Sequence, residues 1–415
     1  MRIAIVSIGH PEYEFGGADR AAYSLFQKLK AEPGIEATFI ARVDESRIGH
    51  DGRISAYHGR PDEILWRTPP MDYFMLSSAD NTQLMRDARE IFGRIKPDIV
   101  HFGHFLHIGA DLFDYVTDEL QVPSVLTFNE YVPVCCNDGQ MITTELQLCY
   151  EASAAECARC FPTISSGKFF LRKEYLQTQF AKVSRFLAPS PFVKERYTAW
   201  GLEAEKFSTI GYIQSPSFET LEPVADQQSP SFGGDKTRFG FFGRINPYKG
   251  VDLLLRAVEN LEPDIRDSME VLIFGANLDD EADGFQKIIK DLLDANDDVV
   301  SLLGSYLNEN TIALMRGVDW LIIPSIWWEV GPIVIEESKI AGTPILCSDI
   351  AGMFEKVTPG VTGAHFKVGS EFDLAAKITQ IVSGRLQVEF EPTDVKALNK
   401  ERFGAHMEMY RELLG

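Results

Sequence analysis

Arg244 and Lys249 stand five positions apart in Arg244-Ile245-Asn246-Pro247-Tyr248-Lys249-Gly250-Val251-Asp252, directly after an apolar run. A planar guanidinium and a mobile ammonium at the end of a strand suit a diphosphate, whose charge is spread over several oxygens. Further along, Glu329 and Glu337 are eight positions apart in the stretch from Pro324 to Glu337. The spacing predicts Glu329 on the loop that follows a strand, and Glu337 two turns later, on a helix beginning near Ile333. Carboxylates so placed accept hydrogen bonds from pairs of sugar hydroxyls. The backbone amides around Val330, Gly331 and Ile333 stay open to phosphate or hydroxyl oxygens at the helix start. Glu336 is expected to face elsewhere, since helix neighbours diverge by about 100°. A plainer role, complementing the helix dipole, accounts loosely for Glu329 and not for Glu337.

Other positions give further signals. Gly16 and Gly17 lie between the first apolar run and an amphipathic helix, where glycines let the backbone approach an anion closely. Their spacing is not the dinucleotide G-x-G-x-x-G. His101, His104 and His107 form H-x2-H-x2-H just past a strand, without the nearby acidic spacing of a metal site. His101 and His104 are therefore expected to line a ligand cleft, with a packed or solvated loop as the alternative. Five of the six cysteines, Cys135, Cys136, Cys149, Cys157 and Cys160, fall within 26 residues. Such clustering in a reducing compartment points to metal or redox chemistry. Cys136, Cys149, Cys157 and Cys160 read C-x12-C-x7-C-x2-C, four thiolates for one tetrahedral ion, for which zinc is the default. Cys135 can stand in for Cys136. Buried free thiols and a redox C-x2-C are the alternatives, and Cys347 reads as core.

Positioning these groups takes more than one core. A chain of 415 residues predicts two domains. Continuous apolar runs at 2–8, 37–43, 98–102, 124–128, 185–190 and 207–212 predict six strands in the first half. Six more are predicted at 238–244, 270–276, 299–305, 320–325, 344–349 and 363–369. Runs of this kind, separated by helical stretches, indicate parallel sheets covered on both faces. The expected division is 1–214, a Pro/Ser/Gly-rich linker at 215–236, 237–397, and a terminal helix at 398–415 that could pack on either domain. Ligands of such folds bind at the carboxyl ends of the strands.

Charge narrows the function. Lys plus Arg number 40 and Asp plus Glu 61, a net −21. The first 215 residues carry −6 and the rest −15, with 4 basic against 14 acidic residues in 251–300. That balance disfavours nucleic acid and anionic lipid as partners. No stretch reaches the roughly 18 apolar residues of a membrane span; membrane association stays possible but is not favoured by charge. The beginning, MRIAIVSIGH, is strand-like with no cleavage site behind it, and a cytoplasmic protein is expected.

The motifs together resemble a family 4 glycosyltransferase of the GT-B fold, with two facing Rossmann-like, doubly wound α/β domains and a donor cleft between them. The resemblance rests on GRINPYKGVDLLLRA, the E-x7-E pair Glu329/Glu337 and AGTPILCSDIAGMFEKV in the second half. In the first half it rests on FGGADRAAYSL, KPDIVHF and FLAPSPFVKERYTAWGL. It implies retaining transfer of a sugar from a nucleotide-diphosphate donor, UDP- or GDP-linked, to an acceptor hydroxyl of a glycan, O-antigen, exopolysaccharide or natural product. In that reading Arg244 and Lys249 hold the diphosphate, Glu337 the ribose, and Glu329 with the amides of Gly331 through Ile333 the donor sugar. Gly16 and Gly17 would lie against the phosphates. The cysteine segment 135–160 resembles an insertion found in some members of the family.

Asp-x-Asp does not occur, so no catalytic divalent metal is expected. Two positions depart from the family pattern. Asn129, in Thr127-Phe128-Asn129-Glu130, stands where relatives often carry histidine; it can bind an acceptor or cleft ligand but cannot relay a proton near neutrality. Pro332 replaces the last residue of E-G-F-G and removes one N–H. A non-catalytic nucleotide-sugar-binding protein and a GT-B nucleotide-sugar epimerase are the alternative readings.

Overall fold

A computed structural model describes residues 1–13, 16–44, 52–220 and 236–415. They form two compact units, Met1–Glu219 with Lys396–Gly415, and Thr220–Val395. Within the expected linker, Pro216–Thr220 is a short 3-10 turn, and 221–235 lie outside the described residues.

The first unit contains β1 (Arg2–Ser7), β2 (Glu36–Arg42), β3 (Ile54–Tyr57), β4 (Arg60–Trp66), β5 (Met71–Asp72), β6 (Ser77–Ser78), β7 (Ile99–Phe102), β8 (Ser124–Thr127), β9 (Arg185–Ala188) and β10 (Phe207–Thr209). Eight of them form one sheet in the order β10-β9-β8-β7-β1-β2-β4-β3, and β5 pairs with β6. Every pairing in the large sheet is parallel except β3 with β4. That hairpin turns at His58 and Gly59, both with positive φ (46° and 75°), the backbone hand that matches strand twist. No strand is expected there from sequence, because Arg60, Pro61 and Asp62 interrupt the apolar pattern.

Helix Val395–Leu414 returns to this unit. Met407, Met409 and the fully buried Tyr410 join a core with Ile3, Ile5 and Phe39 from β1 and β2. The Asn399 side chain accepts from Gln214 N at 2.8 Å and donates to Gln214 O at 3.1 Å, mimicking a strand pairing.

The second unit holds β11 (Thr237–Arg244), β12 (Met269–Ala276), β13 (Val300–Leu302), β14 (Trp320–Ile323), β15 (Ile345–Ser348) and β16 (Gly363–Phe366). The order is β13-β12-β11-β14-β15-β16, all parallel. Counted within the unit this is 3-2-1-4-5-6, the doubly wound order, and the sheet changes direction between β11 and β14. Phe239, Phe241, Val271, Ile273 and Ile322 pack under helices Val251–Glu259 and Glu371–Val382 to form the core. Among the described residues no helix is long and apolar enough to cross a membrane.

Candidate active site

The change of direction between β11 and β14 brings together residues some 80 positions apart in sequence. β11 ends at Arg244, exposed and with no ion pair among the described residues. The next turn is organised by Asn246, whose Oδ1 accepts from Tyr248 N and Lys249 N, both at 3.0 Å. Gly250 then starts helix Val251–Glu259 with φ 72°. A Cβ at Gly250 would lie 2.0 Å from the carbonyl oxygen of Pro324, so only glycine lets this turn rest on the loop after β14. Ile326 N donates to Tyr248 O at 2.9 Å and joins the same two loops.

This packing brings Lys249 Nζ to 2.6 Å from Glu329 Oε1. The same oxygen accepts from Ser325 Oγ at 2.8 Å and Trp327 Nε1 at 2.9 Å. Lys249 Nζ also sits 5.3 Å from the Trp327 ring centre, a cation–π distance. Three donors on Oε1 leave Oε2 without a hydrogen bond among the described residues. A sugar hydroxyl can use it. The ammonium carries three protons, so Lys249 can keep Glu329 and still donate to a phosphate oxygen. On its other side the Glu329 backbone meets the loop after β15, where a Cβ at Gly352 (φ 87°) would approach Glu329 O to 1.8 Å. Ser325, Trp327 and Gly352 were not singled out from sequence as supports of Glu329; Gly352 was visible only as part of the AGMFEKV motif.

Helix Ile333–Ala341 starts where the spacing predicts, with Pro332 at its N-cap and no side-chain cap bond. Its first amides are thus not covered by a capping side chain. Glu337 is 3 % exposed on this helix. Glu336 turns away from it to pair with Lys356 at 3.1 Å.

In the first unit, Gly16 caps helix Gly17–Ala31 with ordinary extended backbone (φ −72°, ψ 146°). The buried Asp19 of that helix accepts from Ser7 Oγ at 2.9 Å and Gly9 N at 2.8 Å, tying the helix to the end of β1. A Cβ at Gly16 would approach Asp19 Oδ2 to 2.9 Å, so the helix start packs closely on this carboxylate.

The three histidines diverge. His101 is 2 % exposed, with Nδ1 2.5 Å from Tyr410 Oη and Nε2 2.7 Å from Thr127 Oγ1. Burial lowers its pKa to about 3. It borders a partly open space of about 30 Å³ with Thr127, Asn129 and His406. His104 Nδ1 accepts from Phe105 N and Leu106 N, and its Nε2 lies 3.9 Å from Glu130 Oε1. Burial brings it to about 4. His107 bonds the Tyr73 hydroxyl at 2.7 Å. Asn129 is equally committed: Nδ2 donates to Gly103 O at 2.6 Å, and Oδ1 accepts from Tyr212 Oη at 2.8 Å. It bridges the ends of β7, β8 and β10.

The expected zinc site finds no support. Cys135, Cys136, Cys149, Cys157 and Cys160 are free thiols that line one cavity of about 490 Å³. Among the described residues, though, no three His, Cys, Asp or Glu side chains stand within reach of one ion. Burial raises the Cys136 thiol to about 11 and Cys157 to about 12, so both are protonated at neutral pH. Arg172 secures the segment by donating to Val132 O, Pro133 O and Phe74 O at 2.5, 2.5 and 2.6 Å.

Two family models match the chain, one in each half: Glycosyltransferase Family 4 over residues 15–211 and Glycosyl transferases group 1 over 225–393. The chain belongs to glycosyltransferase family 4. Its fold is that of the GT-B glycosyltransferases. This family 4 protein is similar to sucrose-phosphate synthase of Thermosynechococcus elongatus (TM-score 0.69, 16 % identity, 99 % of this chain and 98 % of the other). It is also similar to Anabaena HepE solved with UDP and glucose (TM-score 0.63, 17 % identity, 98 % and 100 %). A D-inositol 3-phosphate glycosyltransferase of Mycobacterium sp. is 30 % identical over 200 residues, 44 % of this chain and 43 % of that protein. The chain thus spans less than half the length of the curated relatives it matches.

Proposed function

We propose that the protein is a retaining glycosyltransferase that uses a nucleotide-diphosphate sugar, UDP- or GDP-linked. The observation that carries this reading is the Lys249–Glu329 contact at the point where the second sheet changes direction, with Arg244, which has no ion pair among the described residues, at the end of β11. Arg244 and Lys249 hold the diphosphate, Glu337 the ribose, and Glu329 with the amides from Gly331 to Ile333 the sugar. HepE, whose structure carries UDP and glucose, supports a donor of this class.

In the reaction the bond from the anomeric carbon to the diphosphate oxygen breaks. The acceptor hydroxyl bonds to the same face of that carbon, and its proton passes to the departing diphosphate. Negative charge grows on the diphosphate while the sugar becomes oxocarbenium-like. Cations already fixed at the diphosphate stabilise that charge without reorganisation, as an oxyanion hole does. Arg244 and Lys249 fill this role with protein charge alone, so transfer is independent of divalent metal. The test is transfer from a panel of nucleotide sugars in excess EDTA. Sustained turnover is expected; loss of activity restored by Mg²⁺ or Mn²⁺ contradicts the metal-independent reading.

A further inference from the structure

Glu329 competes with any diphosphate for the Lys249 ammonium, so the strength of their contact bears on donor binding. Three donors converge on Glu329 Oε1: Lys249 Nζ at 2.6 Å, Ser325 Oγ at 2.8 Å and Trp327 Nε1 at 2.9 Å. A carboxylate spreads about four acceptor sites over two oxygens, so three donors crowd an oxygen that has about two. They divide its charge, and the two neutral donors loosen its hold on the lysine.

The three donors differ in freedom. Ser325 follows β14 and is fully buried, and Glu329 is nearly so. The Trp327 ring packs beside Tyr248, with ring centres 6.4 Å apart. The Lys249 side chain is 26 % exposed against 6 % for Glu329, so the ammonium can turn to a ligand where the carboxylate cannot follow. A buried carboxylate whose cation turns away needs other donors, because an unsatisfied buried charge is costly. Ser325 and Trp327 stay in place to supply them. Trp327 also presents its ring face to the ammonium, 5.3 Å from Nζ, a second favourable neighbour that a diphosphate does not have to displace.

We propose that Ser325 and Trp327 are positioning residues that share the Glu329 charge and so free the Lys249 ammonium for the donor diphosphate. Both act through Glu329. The inference rests on the glycosyltransferase reading above and adds two residues to it. A hydroxyl and an indole N–H suit the task because they donate without carrying charge. A cation in either place would cancel the carboxylate, and an apolar residue would leave it locked to the lysine.

The full chain is titrated calorimetrically with UDP, or with GDP where UDP does not bind. The parent is compared with Ser325→Ala, Trp327→Phe and Glu329→Gln, and with each of the first two combined with Glu329→Gln. Ser325→Ala and Trp327→Phe are each expected to weaken nucleotide binding about three- to tenfold, the scale of one hydrogen bond. Once Glu329→Gln has removed the charge, the same two substitutions should change it by less than about twofold, the coupling expected of residues that act through a third. Ser325→Ala is the sharper probe, because a fully buried hydroxyl cannot reach the nucleotide. Trp327→Phe keeps an aromatic face and removes the N–H. Circular dichroism and the urea midpoint check that the variants keep the fold. Single variants that bind as the parent does, or losses of equal size with and without the Glu329 charge, overturn the proposal and leave the donor reading standing. A parent that binds neither nucleotide contradicts the donor reading, and this inference falls with it.

Discussion

Glu329 Oε1 collects three donors, and Oε2 has no hydrogen bond among the described residues. Replacing Glu329 with Gln keeps the shape but removes the charge that holds Lys249. Turnover is expected to fall about ten- to a hundredfold with KM for the donor changed less, because the loss falls on the charge arrangement of the transition state. An unchanged kcat would remove Glu329 from the chemistry. The types and spacing of Arg244, Lys249, Glu329 and Glu337 were legible in the sequence. The partners of Asn129 were not: it reads as an acceptor or cleft residue, and its amide also bonds Gly103 and Tyr212, positions 26 and 83 residues away. His101 reads as a cleft residue, and its bond to Tyr410, 309 residues distant, could not be read locally. Partners supplied by distant turns leave no local pattern.

Elements were legible where burial is uniform. The twelve apolar runs each contain a strand, since a parallel strand covered on both faces needs apolar residues throughout. The β3–β4 hairpin escaped because β4 is buried only toward its end, after Arg60-Pro61-Asp62. The loops around the site depend on glycines at two contacts. Gly250→Ala places a Cβ 2.0 Å from Pro324 O at φ 72°. Loss of about 2–4 kcal/mol is expected, from left-handed strain plus displacement of a packed loop. Gly352→Ala, with its Cβ 1.8 Å from Glu329 O, should cost a similar amount and move Glu329 away from Lys249. Urea unfolding reads the first effect and donor KM the second. A Gly250→Ala protein as stable as the parent would refute the close approach.

For the whole molecule, the terminal helix makes the first unit depend on both ends of the chain, and it buries histidines there. Burial brings His101 to about 3, and His104 and His406 to about 4, against 6.5 when unfolded. Between those values the unfolded chain binds the extra protons, so stability is complete above pH 6.5 and declines as pH falls. Each residue contributes up to about 1.4 kcal/mol per pH unit. Glu130, raised by burial to about 8, has the opposite sign: it favours the fold at low pH, and its contribution is lost as pH rises from 4.5 to 8. Three groups against one predict a net acid-side loss, seen as a urea midpoint lower at pH 5 than at pH 6.5. His406→Gln should flatten that limb, whereas a midpoint independent of pH would contradict neutral burial.

The central claim, that the second unit holds the donor diphosphate with protein cations, is tested most directly by turnover of Lys249→Ala in EDTA. The account predicts a fold unchanged by circular dichroism and a kcat lower by about 10²–10³, the usual effect of removing one charge-stabilising donor. Turnover close to that of the parent would contradict it and place the diphosphate elsewhere.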